Sequence, residues 1–166
     1  MANDRLIDIA VTKVIVCSTA PAAPLAPTVT ELTAGLDITA ALTTGTVIDY
    51  ADSDVVTEMS FADGQKIEAP SLGAYTVDLT MFRLFTSGTP GTDDPATIFT
   101  GNYPTLYVYK RTGLPSTTAV AASQKFDVFK ITADRPKKPS GAGGFLKMMV
   151  KGRMSGFSGE ATVAGP

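Results

Sequence analysis

Few side chains in this sequence are suited to chemistry, and those few are poorly spaced for it. Histidine is absent, so no unperturbed side chain titrates near neutrality, and Ser-His pairs, Cys-His pairs and His-containing metal sites are excluded together. One thiol, Cys17, ends the apolar run IAVTKVIVC and reads as a small buried strand residue rather than a nucleophile. Three carboxylates crowd together at Asp49, Asp52 and Asp54. Calcium needs a defined ligand spacing and a closing glutamate, which this segment lacks, so it reads as a solvated or interface loop. Gly141, Gly143 and Gly144 suggest a phosphate loop, but the P-loop spacing and its Lys-Ser/Thr ending are missing. No GxSxG or CxxC is present. The expectation is no catalytic residue, no cofactor, no metal and no enzymatic activity.

The chain has 166 residues, the length of one domain with extended arms, and a core of that size needs no staple. A single cysteine rules out an internal disulfide scaffold. The opening segment is apolar enough to suggest a signal peptide, yet Asp4 and Asp8 occupy the place of a basic region and Lys13 interrupts the apolar run; a β-strand fits better. No stretch approaches the ~20 apolar residues of a spanning helix. The net charge of −2 hides a division: residues 1–109 carry 13 acids against 4 bases, and residues 110–166 carry 10 bases against 3 acids. Without an aromatic-rich basic motif this is not a base-stacking surface. It fits either scattered solvated charges or acidic and basic surfaces that meet between copies.

Strand signals dominate the elements that hold these residues. Thr and Val are frequent, Gly and Pro punctuate at short intervals, and helical periodicity is never sustained, so the fold class is mainly β. Strands are expected at Ala10–Cys17, at Ile38–Leu42, on both sides of the Asp63-Gly64 turn in EMSFADGQKIE, and at 74–86, 103–111 and 125–133. A last long strand runs from Phe145 to Met154, and a short terminal strand covers 160–164. Thr28 and Glu31 have capping-box spacing for a helix over 28–34 ended by Gly35. Asp94 and Pro95 start a short helix reaching about Thr100. Residues 43–57 read as a long loop, residues 112–123 as a mobile one, and residues 1–9 and 160–166 as terminal segments. In the strand at 74–86 the apolar face of Tyr75, Val77, Leu79 and Met81 meets Arg83, a phase reversal that a bulge or a change of environment would explain. In the last strand Leu146, Met148, Val150 and Met154 point one way. Lys147, Lys151 and Arg153 point the other, as a solvated basic face or a stripe for an acidic partner.

In order, the segments resemble the major tail tube proteins of long-tailed, non-contractile bacteriophages, in particular those of actinobacteriophages. The phrase PTVTELTAGLDIT carries the resemblance, supported by YTVDLTMFRLF, YPTLYVYKR, KFDVFKIT and FLKMMVKGRMSG. The resemblance implies a two-sheet β-sandwich or open barrel with one or two short helices. It further implies hexameric rings stacked into a tube, other tail proteins at the tube ends, DNA passing through the lumen without specific binding, and no membrane. Localisation would be the virion, after synthesis in the host cytoplasm. Two rival readings are a virion receptor-binding or adhesin-like β-domain, and a capsid decoration or tail-completion protein. No binding position transfers from the family; Asp49, Asp52, Asp54, Lys147, Lys151 and Arg153 are the interface candidates.

Overall fold

The computed structural model describes residues 8–52, 55–59, 66–70, 74–139 and 145–165. The chain starts with α1 (Asp8–Val11) and β1 (Lys13–Cys17), continues through α2 (Val29–Thr33) to the two-residue β2 (Leu36–Asp37), and then makes a 3-10 turn at Thr39–Ala41. Four strands follow: β3 (Val47–Ala51), β4 (Val55–Met59), β5 (Lys66–Pro70) and β6 (Ala74–Phe82). A small pair, β7 (Phe85–Thr86) and β8 (Thr89–Pro90), precedes a 3-10 turn at Pro95–Thr97. The long strands β9 (Thr105–Arg111), β10 (Lys125–Ala133) and β11 (Lys147–Thr162) complete the order.

The fold is mainly β, as expected, and its hydrogen bonding builds one large sheet where a two-sheet sandwich or open barrel was the expectation. Seven strands make one antiparallel sheet in the order β2-β1-β9-β10-β11-β6-β3, beside the ribbons β4-β5 and β7-β8. The reason lies in β11, long enough to serve both halves. Its first part, Lys147–Gly152, pairs with β6, while Gly152 onward pairs with β10. At that crossing Gly152 leaves no room: a Cβ would sit 2.8 Å from Ile131 Cδ1 and 3.0 Å from the Val77 carbonyl oxygen. Further along, pairing jumps from Ile131↔Met154 to Phe129↔Ser158. Here β11 spends four residues where β10 spends two, with Gly156 at φ +147, so the strand bends as bulged strands do.

The bent sheet curls over its own core. Val14 and Val16 of β1 share one buried cluster with Val77, Leu79 and Met81 of β6, although three strands separate them, and Val108, Phe129 and Ile131 fill the space between. Residues 38–46 strap the open side. Ile38 N–H donates to the Val14 carbonyl at 3.0 Å, and Thr43 N–H to the Thr80 carbonyl at 2.9 Å. On the opposite face α2 covers a second cluster containing Ile15, Cys17, Tyr107, Tyr109, Phe126 and Val128. Strands β1, β9 and β10 thus place buried residues on both faces, most completely in β1, whose Val14–Cys17 are all apolar and buried.

Local chemistry explains the helical pieces. Glu31 N–H donates to Thr28 Oγ1 (3.2 Å) and Thr28 N–H to Glu31 Oε2 (2.8 Å), completing the expected capping box. Gly35 serves a different purpose from the one expected: Ala34 is the C-cap, and a Cβ on Gly35 would lie 2.7 Å from Cys17 Sγ. It is there so that the chain after α2 can press onto β1.

Several expected boundaries move. Ile38–Leu42 holds the 3-10 turn instead of a strand. Within 43–57, residues 47–51 are β3 and 55–57 belong to β4; an edge strand keeps polar residues such as Asp49, which hides it from pattern reading. The sequence 74–86 needs no bulge, because β6 ends at Phe82 and the Arg83 side chain turns to Asp94. The two C-terminal strands are one, β11. Its expected inward row holds at Met148 and Val150, but Leu146 and Met154 are exposed. Strands β4 and β5 pair antiparallel, as the arms of the expected hairpin, with Met59 opposite Lys66; its Asp63-Gly64 turn, Phe61 and Asp54 lie outside the described residues, as do residues 1–7 of the arm and Gly141, Gly143 and Gly144.

Candidate assembly surface

The groups with most chemical potential are engaged in structure. Burial, helped by nearby Glu31, pushes the Cys17 thiol up to about 11, so it stays protonated and inert at neutral pH. A groove of about 490 Å³ runs past Cys17, Glu31, Ala34 and Ile98. Its one carboxylate, Glu31, is held below its usual range by the amides of Ala22 and Thr28. Asp94 is fully buried and takes a bidentate Arg83 guanidinium at 2.6 and 2.9 Å. Burial alone would raise this carboxyl, but Arg83 and the amides of Ala96 and Leu84 hold it below the usual carboxylate value. Arg111, buried at the end of β9, donates to Gln124 Oε1, Pro115 O and Thr118 O. These bonds tie down the segment 112–123, which the sequence suggests is mobile. Among the described residues no three His, Cys, Asp or Glu side chains converge as metal ligands.

Four of the charged candidates, Asp49, Lys147, Lys151 and Arg153, share one surface. In antiparallel pairing, residues directly opposite share a face. Val47 faces Asp78, Asp49 faces Thr76, Lys151 faces Asp78, Met149 faces Thr80 and Lys147 faces Phe82. The outer side of β3-β6-β11 therefore carries Asp49 and the basic row together, not on separate surfaces. Several of these charges have partners within the chain. Lys151 Nζ stands 3.8 Å from Asp78, Arg153 pairs with Asp134 at 3.0 Å, and Lys147 Nζ lies 5.4 Å above the Phe82 ring. Asp52 is exposed just past β3.

Composition did not single out three further features. Phe145 (84% exposed) and Leu146 (61%) stand beside Phe82 and Leu84, lining a groove of about 270 Å³ at the basic end of that surface. Lys110 continues the inward row Leu106, Val108 of β9 and reaches the Ile48 carbonyl at 2.8 Å. Asp127, on the inward face of β10, has its carboxyl raised by burial, which Lys110 opposes. A lysine and an aspartate continuing apolar rows are the signal that was present in the sequence.

These observations define a β-sheet protein whose ionisable groups stabilise the fold and whose exposed surface is strand edge, apolar patch and charged row. A family model described as phage tail tube protein matches residues 1–166, and the chain belongs to that family. It is a structural tail tube subunit of a family that is not an enzyme family. Membership makes it a virion component that assembles with itself and other tail proteins into a tube. No curated protein matches the sequence. Among the described residues no helix is long and apolar enough to cross a membrane.

Proposed function

We propose that copies of this chain form hexameric rings that stack into the hollow tube of a long, non-contractile phage tail, through which DNA passes when the genome is ejected. The family match over residues 1–166 carries this reading. The sheet supports it: seven strands curl without closing, leaving an edge strand that a neighbouring copy can complete. Other tail proteins meet the tube at its ends, and the subunits are made in the host cytoplasm before assembly. DNA passes through the lumen without specific binding, since firm phosphate contacts would dominate affinity and hold the polymer back. Asp49, Asp52 and Asp54 of one copy approach Lys147, Lys151 and Arg153 of another. Negative-stain microscopy of the purified protein across a concentration series tests the proposal. Rings or tubes are expected; a protein that stays a monomer or trimer throughout and shows neither would refute it.

A further inference from the structure

Antiparallel pairing dictates which main-chain groups of an edge strand face outward. On β6, the Thr80 carbonyl accepts from Thr43 N–H (2.9 Å) and Thr80 N–H donates to Thr46 Oγ1 (3.1 Å), both on the β3 side. Every second residue of β6 shares that orientation, so Asp78 and Thr76 bond to their partners Val47 and Asp49. Ile48 and Tyr50 must then turn their main-chain groups away from the sheet. The opposite end of the sheet is already occupied. Val14 N–H donates to Thr39 Oγ1 at 2.9 Å, its carbonyl accepts from Ile38, and Ile15 and Val16 pair with β2. Among the described residues, β3 is thus an end strand of the sheet whose outer side no other strand covers.

That edge is not bare. Lys110 Nζ crosses from β9 to donate to the Ile48 carbonyl at 2.8 Å, and Asp49 Oδ1 accepts Tyr50 N–H at 2.8 Å. The Tyr50 ring packs 5.2 Å from Phe129, and its hydroxyl faces the Asp127 carboxyl. Two outward main-chain groups needed by an incoming strand, the Ile48 carbonyl and the Tyr50 N–H, are therefore taken by side chains, while the half-exposed Tyr50 ring leans on Phe129. Charged groups placed on an edge are a known way of blocking unwanted pairing. Here the blocking groups are retractable, since one is a long lysine and the other an exposed aspartate.

We propose that β3 is the edge on which a second copy adds a strand, and that Lys110 and Asp49 cap it in the free subunit, so that pairing waits for their release. This rests on the tube reading above. It also opposes the charge-pairing role of Asp49 given there, because a cap delays assembly whereas an ion pair between copies promotes it.

The test uses the full chain and measures, by pelleting and microscopy, the lowest concentration at which rings or tubes form. Lys110→Met combined with Asp127→Asn removes the lysine cap without leaving a lone buried carboxylate. Asp49→Ala removes the other cap at an exposed position, where folding is not at risk. Lys110→Arg keeps a donor and is expected to behave as the original chain. The double variant should assemble at about tenfold lower concentration, equivalent to ~1.4 kcal/mol, and Asp49→Ala at a threshold lowered about threefold. A folded double variant with an unchanged or higher threshold overturns the proposal. So does an Asp49→Ala chain that assembles no more readily than the original, whether or not the double variant folds. If no chain, the original included, forms rings or tubes at any concentration, the tube reading falls and takes the gate with it.

Discussion

Replacing Asp94 with alanine should be among the most damaging single changes in the described part of this protein. The residue sits at 0% exposure, accepts two or more bonds from Arg83, and caps the 3-10 turn through Ala96 N–H. Removing one member of a buried ion pair costs about 3–5 kcal/mol, because the other charge stays behind. The Arg83 side chain keeps 13% exposure, enough water to favour the lower end, about 3 kcal/mol. Loss of the cap adds ~1 kcal/mol. The sum, about 4 kcal/mol, lowers Tm by roughly 8–16 °C for a chain of this size. Urea unfolding of the monomer, followed by circular dichroism, measures the effect. A double-mutant cycle with Arg83→Met separates the pair from the cap. The carboxyl is held below its ordinary value in the fold, so its contribution is complete above the unfolded value near pH ~4 and is lost as pH falls through the lower folded one. The Asp94→Asn chain should lack that acid-side slope. A loss under ~1 kcal/mol in Asp94→Ala, or no coupling to Arg83, would refute the reasoning.

Two further outcomes are expected. Gly152→Ala should cost ~1–3 kcal/mol by overpacking: Ile131 Cδ1 can swing away from the new methyl, but the Val77 carbonyl at 3.0 Å is main chain. A Gly152→Ala chain as stable as the original in urea would count against the tight crossing. Changing Lys147, Lys151 and Arg153 together to glutamate breaks two exposed pairs, to Asp78 and Asp134, worth under ~1 kcal/mol each. The fold should survive while ring formation is impaired, and intact assembly by microscopy would reject an interface role for the row.

What the sequence disclosed depended on how each residue is buried. Strand β10 matches its expected span because its residues meet a core on both faces, and Asp94-Pro95 was readable because capping is local chemistry. Strand β3 was missed for the opposite reason. It is an edge, so only Ile48 among its five residues is buried, and a Tyr and an Asp beside it look like loop. The single bent sheet was hidden because Gly152 and the bulge near Gly156 act through long-range pairing, which periodicity does not report. Likewise Arg83 looked like an error of phase until Asp94, eleven residues on, supplied its partner. Of the candidate surface, the basic row of β11 was legible from alternation. Its internal partners Asp78 and Asp134 were not, since they lie 73 and 19 residues away in sequence.

The edge of β3 brings these threads together. A subunit whose function is to be joined to copies of itself has to carry an unfinished sheet, and the same unfinished edge is a liability while the subunit is alone. Burying the edge under a helix would remove the liability and the function together. Capping it with side chains is a weaker and reversible solution: the displaced lysine and aspartate return to water, where they are well solvated, and the main-chain groups they leave find main-chain partners. The strength of the caps then sets how concentrated the subunits must be before they join. The paired change Lys110→Met with Asp127→Asn reports on that setting more directly than any change to the charged outer face, because it alters the edge itself and leaves the outer row of β11 untouched.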